Sequence, residues 1–120
     1  MTVVNATGHE VRKRRSDGSI RSYLPSPLTI RLASVDLPDR SIPGEDVVQR
    51  RFFHEPLPVP NTGVVYIVSR KVAFAYAGIR NDFIYPDTES GAERDSNGRI
   101  LSVRRFRRPD ILMLHESHSE

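Results

Sequence analysis

The sequence contains no cysteine, and only two of its 120 residues are lysine. The absence of cysteine excludes disulfides, thiol catalysis, iron–sulfur clusters and zinc sites built on thiolates. No apolar run approaches the roughly 20 residues that a membrane-spanning helix needs. Residues 1–5 lack the charged and apolar regions of a secretory signal, so we expect a cytoplasmic protein without a membrane partner.

Length and composition favour one small globular unit. A chain of 120 residues can bury one modest core but cannot hold two independent folds. We therefore predict a single β-rich domain over residues 1–109 and a C-terminal arm over residues 110–120. The arm carries the apolar segment Ile111-Leu112-Met113-Leu114 after Pro109, and such a segment needs a surface to cover it. A neighbouring subunit can provide that surface, so we expect a homo-oligomer.

Arginine supplies 16 of the 18 basic residues, and the formal net charge is +3. The basic residues concentrate in two runs, Arg12-Lys13-Arg14-Arg15 and Arg104-Arg105-Phe106-Arg107-Arg108. The planar guanidinium group suits phosphate and carboxylate groups. An uneven basic surface therefore favours an anionic partner such as a nucleotide, a nucleic acid or an acidic protein. Solvated strand edges, where charge discourages aggregation, are the alternative explanation.

The pattern of apolar residues predicts an α+β protein dominated by strands, with a twisted antiparallel sheet and one short helix. We predict a hairpin over residues 11–24, because Asp17-Gly18 between extended segments is a strong hairpin signal. Ser69 as N-cap and Gly78 as C-terminal stop delimit the helix at 69–77. Further strands are predicted over residues 2–7, 28–35, 46–54, 64–68, 82–85 and 99–106. Loops are predicted at 36–45 and 87–98, and an edge strand or exchanged arm at 110–114.

The sequence has few features that indicate catalysis. His115 and His118 share the C-terminal tail, but no third metal ligand follows at a recognisable spacing. There is no Gly-x-Ser-x-Gly elbow and no glycine-rich phosphate loop. We therefore expect a protein that is not an enzyme and that holds no metal and no cofactor.

Asn5, Thr7 and His9 form one candidate binding surface. In an extended segment all three side chains point to the same face, because side chains alternate with a period of two. Such a face can line a binding cleft. Alternatively, the Asn and Thr side chains hydrogen-bond to the local backbone and end the strand in a turn at Gly8.

A second candidate binding site combines two segments near turns, residues 80–83 and 94–99, each of which carries Arg and Asp. Arginine can bind phosphate, aspartate can accept ribose hydroxyls, and Phe83 or Tyr85 can stack on a base. We predict that these residues converge on one nucleotide pocket made of Arg80, Asp82, Phe83, Arg94, Asp95 and Asn97. Alternatively, the Arg–Asp pairs are intramolecular and pin loops together.

Several motifs resemble a set of small phage and actinobacterial proteins, most of which have no assigned function. The resemblance covers residues 5–106. The family usually has Leu and Pro where Ala6 and Gly8 stand, and often Gly-Cys where Ser102-Val103 stand. The matching motifs are Asn5-x-Thr7-x-His9-x-Val11, Tyr66-Ile67-Val68-Ser69-x-x-Val72-Ala73, Arg80-x-Asp82, Pro86 and Arg94-Asp95-x-x-Gly98-Arg99-Ile100.

In size and mixed β type the chain is also similar to the Thoeris anti-defence sponges of phages. Those proteins sequester cyclic ADP-ribose signals and assemble as oligomers. The resemblance implies a non-enzymatic phage protein that binds a nucleotide immune signal in the host cytoplasm, at a site shared by subunits. Two alternatives stay open: a basic nucleic-acid-binding or anti-restriction protein, and a virion or assembly component. Nucleic acid is expected to bind more weakly than a small nucleotide.

Overall fold

The structure is a computed structural model that describes residues 1–54 and 56–109, and it is dominated by β-strands. Among these residues a single short helix, α1 (Arg70–Ala75), accompanies ten strands, so the predicted β-dominated α+β class is confirmed. No helix within the described ranges is long and apolar enough to span a membrane. The strands are β1 (Thr2–Asn5), β2 (Val11–Arg14), β3 (Ile20–Tyr23), β4 (Leu32–Asp39), β5 (Val47–His54), β6 (Val64–Ile67), β7 (Phe83–Pro86), β8 (Ala92–Arg94), β9 (Ile100–Val103) and β10 (Phe106–Arg107).

The strands form two four-stranded sheets and one separate ribbon. The first sheet has the order β1-β6-β7-β10, the second has the order β3-β2-β9-β8, and β4 pairs only with β5. The predicted antiparallel arrangement is only partly correct, because β1 and β7 both pair with β6 in parallel. The connection from β6 to β7 runs through α1, and a parallel pair needs a crossover of this kind.

The core lies between α1 and one face of the first sheet. Ser69 begins the helix as predicted, and its hydroxyl accepts a hydrogen bond of 3.2 Å from the Val72 amide. Val72 and Tyr76 of the helical segment pack with Phe83 and Tyr85 of β7. Because side chains alternate along a strand, Ile84 points away from this core toward the second sheet.

Four local predictions differ from the structure. The strand predicted over residues 28–35 begins only at Leu32 and continues through Pro38, into the predicted loop 36–45. Proline is tolerated there because β4 has a single strand partner, so its other edge makes no ladder hydrogen bonds. Strand β8 lies inside the predicted loop 87–98, and the strand predicted over 99–106 is divided into β9 and β10. The predicted C-terminal arm and edge strand lie outside the described residues.

Candidate functional site

Arg80 and Asp82 form a buried ion pair. The Arg80 Nε and Nη2 atoms donate to the two carboxylate oxygens of Asp82 at 2.8 and 2.7 Å, and Nη1 donates to the Pro58 carbonyl at 2.9 Å. Each of the paired side chains is only 9% exposed. The hydrogen bond from Arg80 holds the pKa of the Asp82 carboxyl below its ordinary value. Arg80 and Asp82 therefore pair with each other, as the alternative of an intramolecular Arg–Asp pair predicts.

Phe83 belongs to the core and cannot serve as the predicted stacking surface. Its side chain is 1% exposed, with the rings of Tyr66 and Tyr76 packed edge-on against it. The Arg80 guanidinium carbon lies 4.6 Å from its ring centroid. The prediction that Phe83 stacks on a base is wrong, because the strand period directs this ring toward α1.

Arg94, Asp95 and Asn97 shape the turn between β8 and β9 of the second sheet. Arg94 donates to the carbonyls of Gly98 at 2.7 Å and Thr88 at 3.1 Å. One carboxylate oxygen of Asp95 accepts the Asn97 amide at 2.9 Å, and the Asn97 side chain is exposed. The structure does not bring these residues together with Arg80, Asp82 and Phe83, which adjoin the first sheet.

Asn5, Thr7 and His9 form a local backbone network. Asn5 is 2% exposed, and its amide nitrogen donates to the carbonyls of His9 at 2.7 Å and Tyr23 at 2.8 Å. Its side-chain oxygen accepts from the Thr7 amide at 3.1 Å and the Thr7 hydroxyl at 2.6 Å. These four bonds match the full capacity of an Asn side chain. Asn5 therefore fastens β1 to β3 and to the turn at Gly8, as the alternative of local backbone bonding predicts, while His9 is exposed.

The strand period sorts the first basic run into two faces. On one face of β2, Arg14 donates to the Glu93 carboxylate at 2.6 Å. Lys13 and Arg15 point to the opposite face, and Lys13 stands directly across the hairpin from Arg21 of β3. Among residues 1–54 and 56–109, no carboxylate lies within ion-pair distance of Lys13, Arg15 or Arg21. Hydrogen bonds from Ser19 and the charge of Arg15 lower the pKa of the Asp17 carboxyl, so this face has one acidic neighbour but no direct ion pair, and it carries an excess of positive charge.

These three cations border a cleft of about 280 Å³ where the first and second sheets meet. The Arg21 guanidinium carbon lies 4.7 Å from the ring centroid of Tyr23, and the Phe106 ring meets Tyr23 edge-on at a centroid distance of 5.7 Å. Both rings are partly buried. The cleft is lined by Val3, Lys13, Arg15, Arg21, Tyr23, Ile84 and Phe106.

The chemistry of this lining suits an anion attached to a flat ring. The ammonium and guanidinium groups supply donors, and the aromatic and aliphatic side chains supply an apolar wall. A 440 Å³ cavity at the tip of the β4–β5 ribbon, between Pro38 and Val48, has no aromatic ring in its lining. Tyr23 and Phe106 were not among the residues predicted from the sequence, although Phe106 stands inside the second basic run and Tyr23 lies two residues after Arg21.

Comparison of the chain with models of protein families, with curated proteins and with solved structures found no match. The resemblance to phage sponges therefore stays a prediction. No group of three or more side chains able to hold a metal ion occurs in the portion of the chain that the structure describes.

Proposed function

We propose that this protein binds a nucleotide, without catalysis, in the cleft between its two four-stranded sheets. The observation that carries the proposal is the set Lys13, Arg15 and Arg21, which forms no ion pair with a carboxylate within the described chain and adjoins two aromatic rings. Elsewhere, several arginines are neutralised, as in the pairs of Arg14 with Glu93 and Arg80 with Asp82. Like charges gathered in a cavity repel one another, and an anionic ligand relieves that repulsion.

The two parts of a nucleotide match the two parts of the cleft. The base packs against the rings of Phe106 and Tyr23, a contact worth about 1–3 kcal/mol per stacked base. The phosphate lies against the cations of Lys13 and Arg15, where charge-assisted hydrogen bonds are stronger than neutral ones. The lining residues include no carboxylate and no imidazole to act as a general base, which favours binding over bond cleavage.

The size of the cleft limits the ligand. Its volume of about 280 Å³ lies at the lower end of ligand sites, which span about 300–1,000 Å³. A base with one ribose and one phosphate fills that space. A cyclic ADP-ribose signal carries a second ribose and a second phosphate, and we propose that a neighbouring copy of the chain completes the site for it. Sequestering such a signal would blunt host defence, as the resemblance implies.

The β4–β5 ribbon favours a second candidate function, that of a virion or assembly component. A two-stranded ribbon is marginally stable by itself in water. Val48 and Phe52, which share one face of this ribbon, are 61% and 49% exposed. A neighbouring subunit packed on these side chains would stabilise the ribbon, and the same contact serves an oligomeric sponge or a capsid component.

Calorimetric titration with cyclic ADP-ribose, ADP-ribose and AMP tests the nucleotide proposal. We expect saturable binding of at least one of them, weakened about tenfold in both Phe106→Leu and Arg21→Gln. Arg50→Gln is the matched control, because Arg50 is an exposed arginine of the ribbon paired with Asp36.

Three results would contradict the proposal. The first is the absence of binding by all three nucleotides. The second is an equal loss of affinity in Arg50→Gln, which would show a general charge effect instead of a site. The third is tighter binding of a single-stranded oligonucleotide than of any mononucleotide at physiological salt, which would support the nucleic-acid alternative.

A further inference from the structure

A second cluster of basic side chains surrounds Asp87, on the other face of β10 from the cleft. Asp87 follows β7 and is 1% exposed. One of its carboxylate oxygens lies 2.7 Å from Nε of Arg105 and 3.1 Å from Nε of Arg107. Its other oxygen accepts the Glu89 amide at 3.1 Å. The hydrogen bond from Arg105 holds the pKa of the Asp87 carboxyl well below its ordinary value, so the acceptor stays ionised.

Ser90 aligns the same two guanidinium groups. Its hydroxyl oxygen accepts from Nη2 of Arg105 at 2.8 Å and from Nη2 of Arg107 at 3.3 Å. Each guanidinium therefore turns its Nε–Nη2 edge toward Asp87 and Ser90. The Nη1 groups have no hydrogen-bond partner within the described residues, and the two arginine side chains are 56% and 45% exposed. The two guanidinium groups therefore lie side by side, and the Nη1 group of each can donate hydrogen bonds to a ligand or to solvent.

The charge balance beside the pair suits an anion. One carboxylate faces two guanidinium groups, so the set of Asp87, Arg105 and Arg107 carries a net positive charge. A cavity of about 130 Å³ opens next to Arg107, but Asp87 and Glu89 also line it and Arg105 does not, so an anion would bind at the solvent-exposed edges of the two guanidinium groups and not inside this cavity. Arg70 borders this cavity and is itself paired with Glu89.

We propose that Arg105 and Arg107 form a phosphate-binding clamp, preoriented by Asp87 and Ser90, that takes a phosphomonoester group. A phosphodiester carries a single negative charge and presents two non-bridging oxygens to the two guanidinium groups. A phosphomonoester presents three acceptor oxygens and a charge between −1.5 and −2 at neutral pH. Because Phe106 lies between the two arginines and points into the cleft, the clamp is distinct from the nucleotide site and does not depend on it.

The test uses the full-length chain labelled with ¹⁵N and follows the Nε–Hε signals of its arginines by NMR. Inorganic phosphate is the probe, dimethyl phosphate is the diester control, and chloride is matched in ionic strength. We expect saturable shifts of the Arg105 and Arg107 signals with phosphate, and at least about tenfold weaker binding of dimethyl phosphate.

Variants separate the clamp from a general effect of charge. Arg107→Gln should abolish the saturable shift of Arg105. Ser90→Ala, a change at an exposed side chain, should weaken phosphate binding about fivefold while leaving the fold intact, because one hydroxyl that aligns the guanidinium groups is lost. Arg50→Gln in the ribbon should leave the affinity for phosphate unchanged. Shifts no larger than those with chloride, equal binding of the diester, or binding that survives Arg107→Gln would each overturn the proposal.

Discussion

Replacing Asp82 with alanine is expected to destabilise the fold strongly, because the change leaves the Arg80 guanidinium buried without a counter-charge. In the intact protein this guanidinium is held on three sides. It donates two hydrogen bonds to Asp82 and one to the Pro58 carbonyl, and its flat face lies on the Phe83 ring. Removing the carboxylate therefore affects a charge that has little access to water.

The magnitude follows from the burial of the pair. Removing one partner of a buried ion pair costs about 3–5 kcal/mol in the free energy of unfolding. The two side chains keep 9% exposure each, which places the expected cost near the lower end, at about 3 kcal/mol. For a domain of this length, that loss lowers the melting temperature by about 12 °C. Replacing both residues, as in Arg80→Met with Asp82→Leu, should cost far less, because no charge is left unpaired.

The assay is urea unfolding followed by circular dichroism, combined with the nucleotide titration at a temperature where each variant is folded. We expect Asp82→Ala to lower the urea midpoint while the folded fraction binds nucleotide normally. Equal losses of stability in Asp82→Ala and the double variant would refute the argument from the unpaired charge. Unchanged stability together with lost nucleotide binding would place Asp82 in the ligand site and refute the assignment to the cleft.

Three further predictions concern pH, the N-terminal network and assembly. The pKa values of Asp82 and Asp87 are lowered in the folded state. Their contribution to the free energy of unfolding is therefore complete above the ordinary pKa of 3.8 and is lost as the pH falls below that value. Urea midpoints measured between pH 7 and pH 2 should fall accordingly. Asn5→Ala should cost about 1–3 kcal/mol by thermal unfolding, because it removes a buried side chain and the four hydrogen bonds that it makes. Asn97→Ala at an exposed position should cost almost nothing. Light scattering at micromolar concentration should show a dimer or larger species that Val48→Asp in the ribbon dissociates, and a monomeric wild-type chain would contradict this.

Local signals predicted the elements of the fold that depend on local interactions. Asp17-Gly18 indicated the hairpin of β2 and β3, and Ser69 with Gly78 indicated the limits of α1 to within a few residues. The parallel pairing of β1 with β6 joins segments about sixty residues apart, and no periodicity within either strand specifies its partner. Strand β8 is three residues long and polar, so it is defined by its pairing with β9 and not by its own composition.

The candidate site shows the same division between local and non-local information. The proposed cleft combines the residue types expected from the sequence, arginine for phosphate and an aromatic ring for a base. Phe83 is not part of it, because Phe83 lies on the face of β7 that α1 covers, and only the β6–α1–β7 crossover decides which face that is. Arg80 and Asp82 are two residues apart, close enough for their side chains to form an ion pair. Because both side chains are buried, each needs a partner of opposite charge, and they pair with each other.

One rule, the period of two along a strand, explains how both basic runs are divided. In the first run it turns Arg14 toward Glu93 and leaves Lys13 and Arg15 facing the cleft. In the second run it turns Arg105 and Arg107 toward Asp87 and directs Phe106 into the same cleft. In both runs the arginines that form ion pairs lie on the face where carboxylates are found, although Asp87 offsets only one of the two charges of Arg105 and Arg107. The net charge of +3 alone would not have located the cleft that we propose for an anion, whereas the side of each strand on which the acidic residues lie does distinguish it from the paired surfaces.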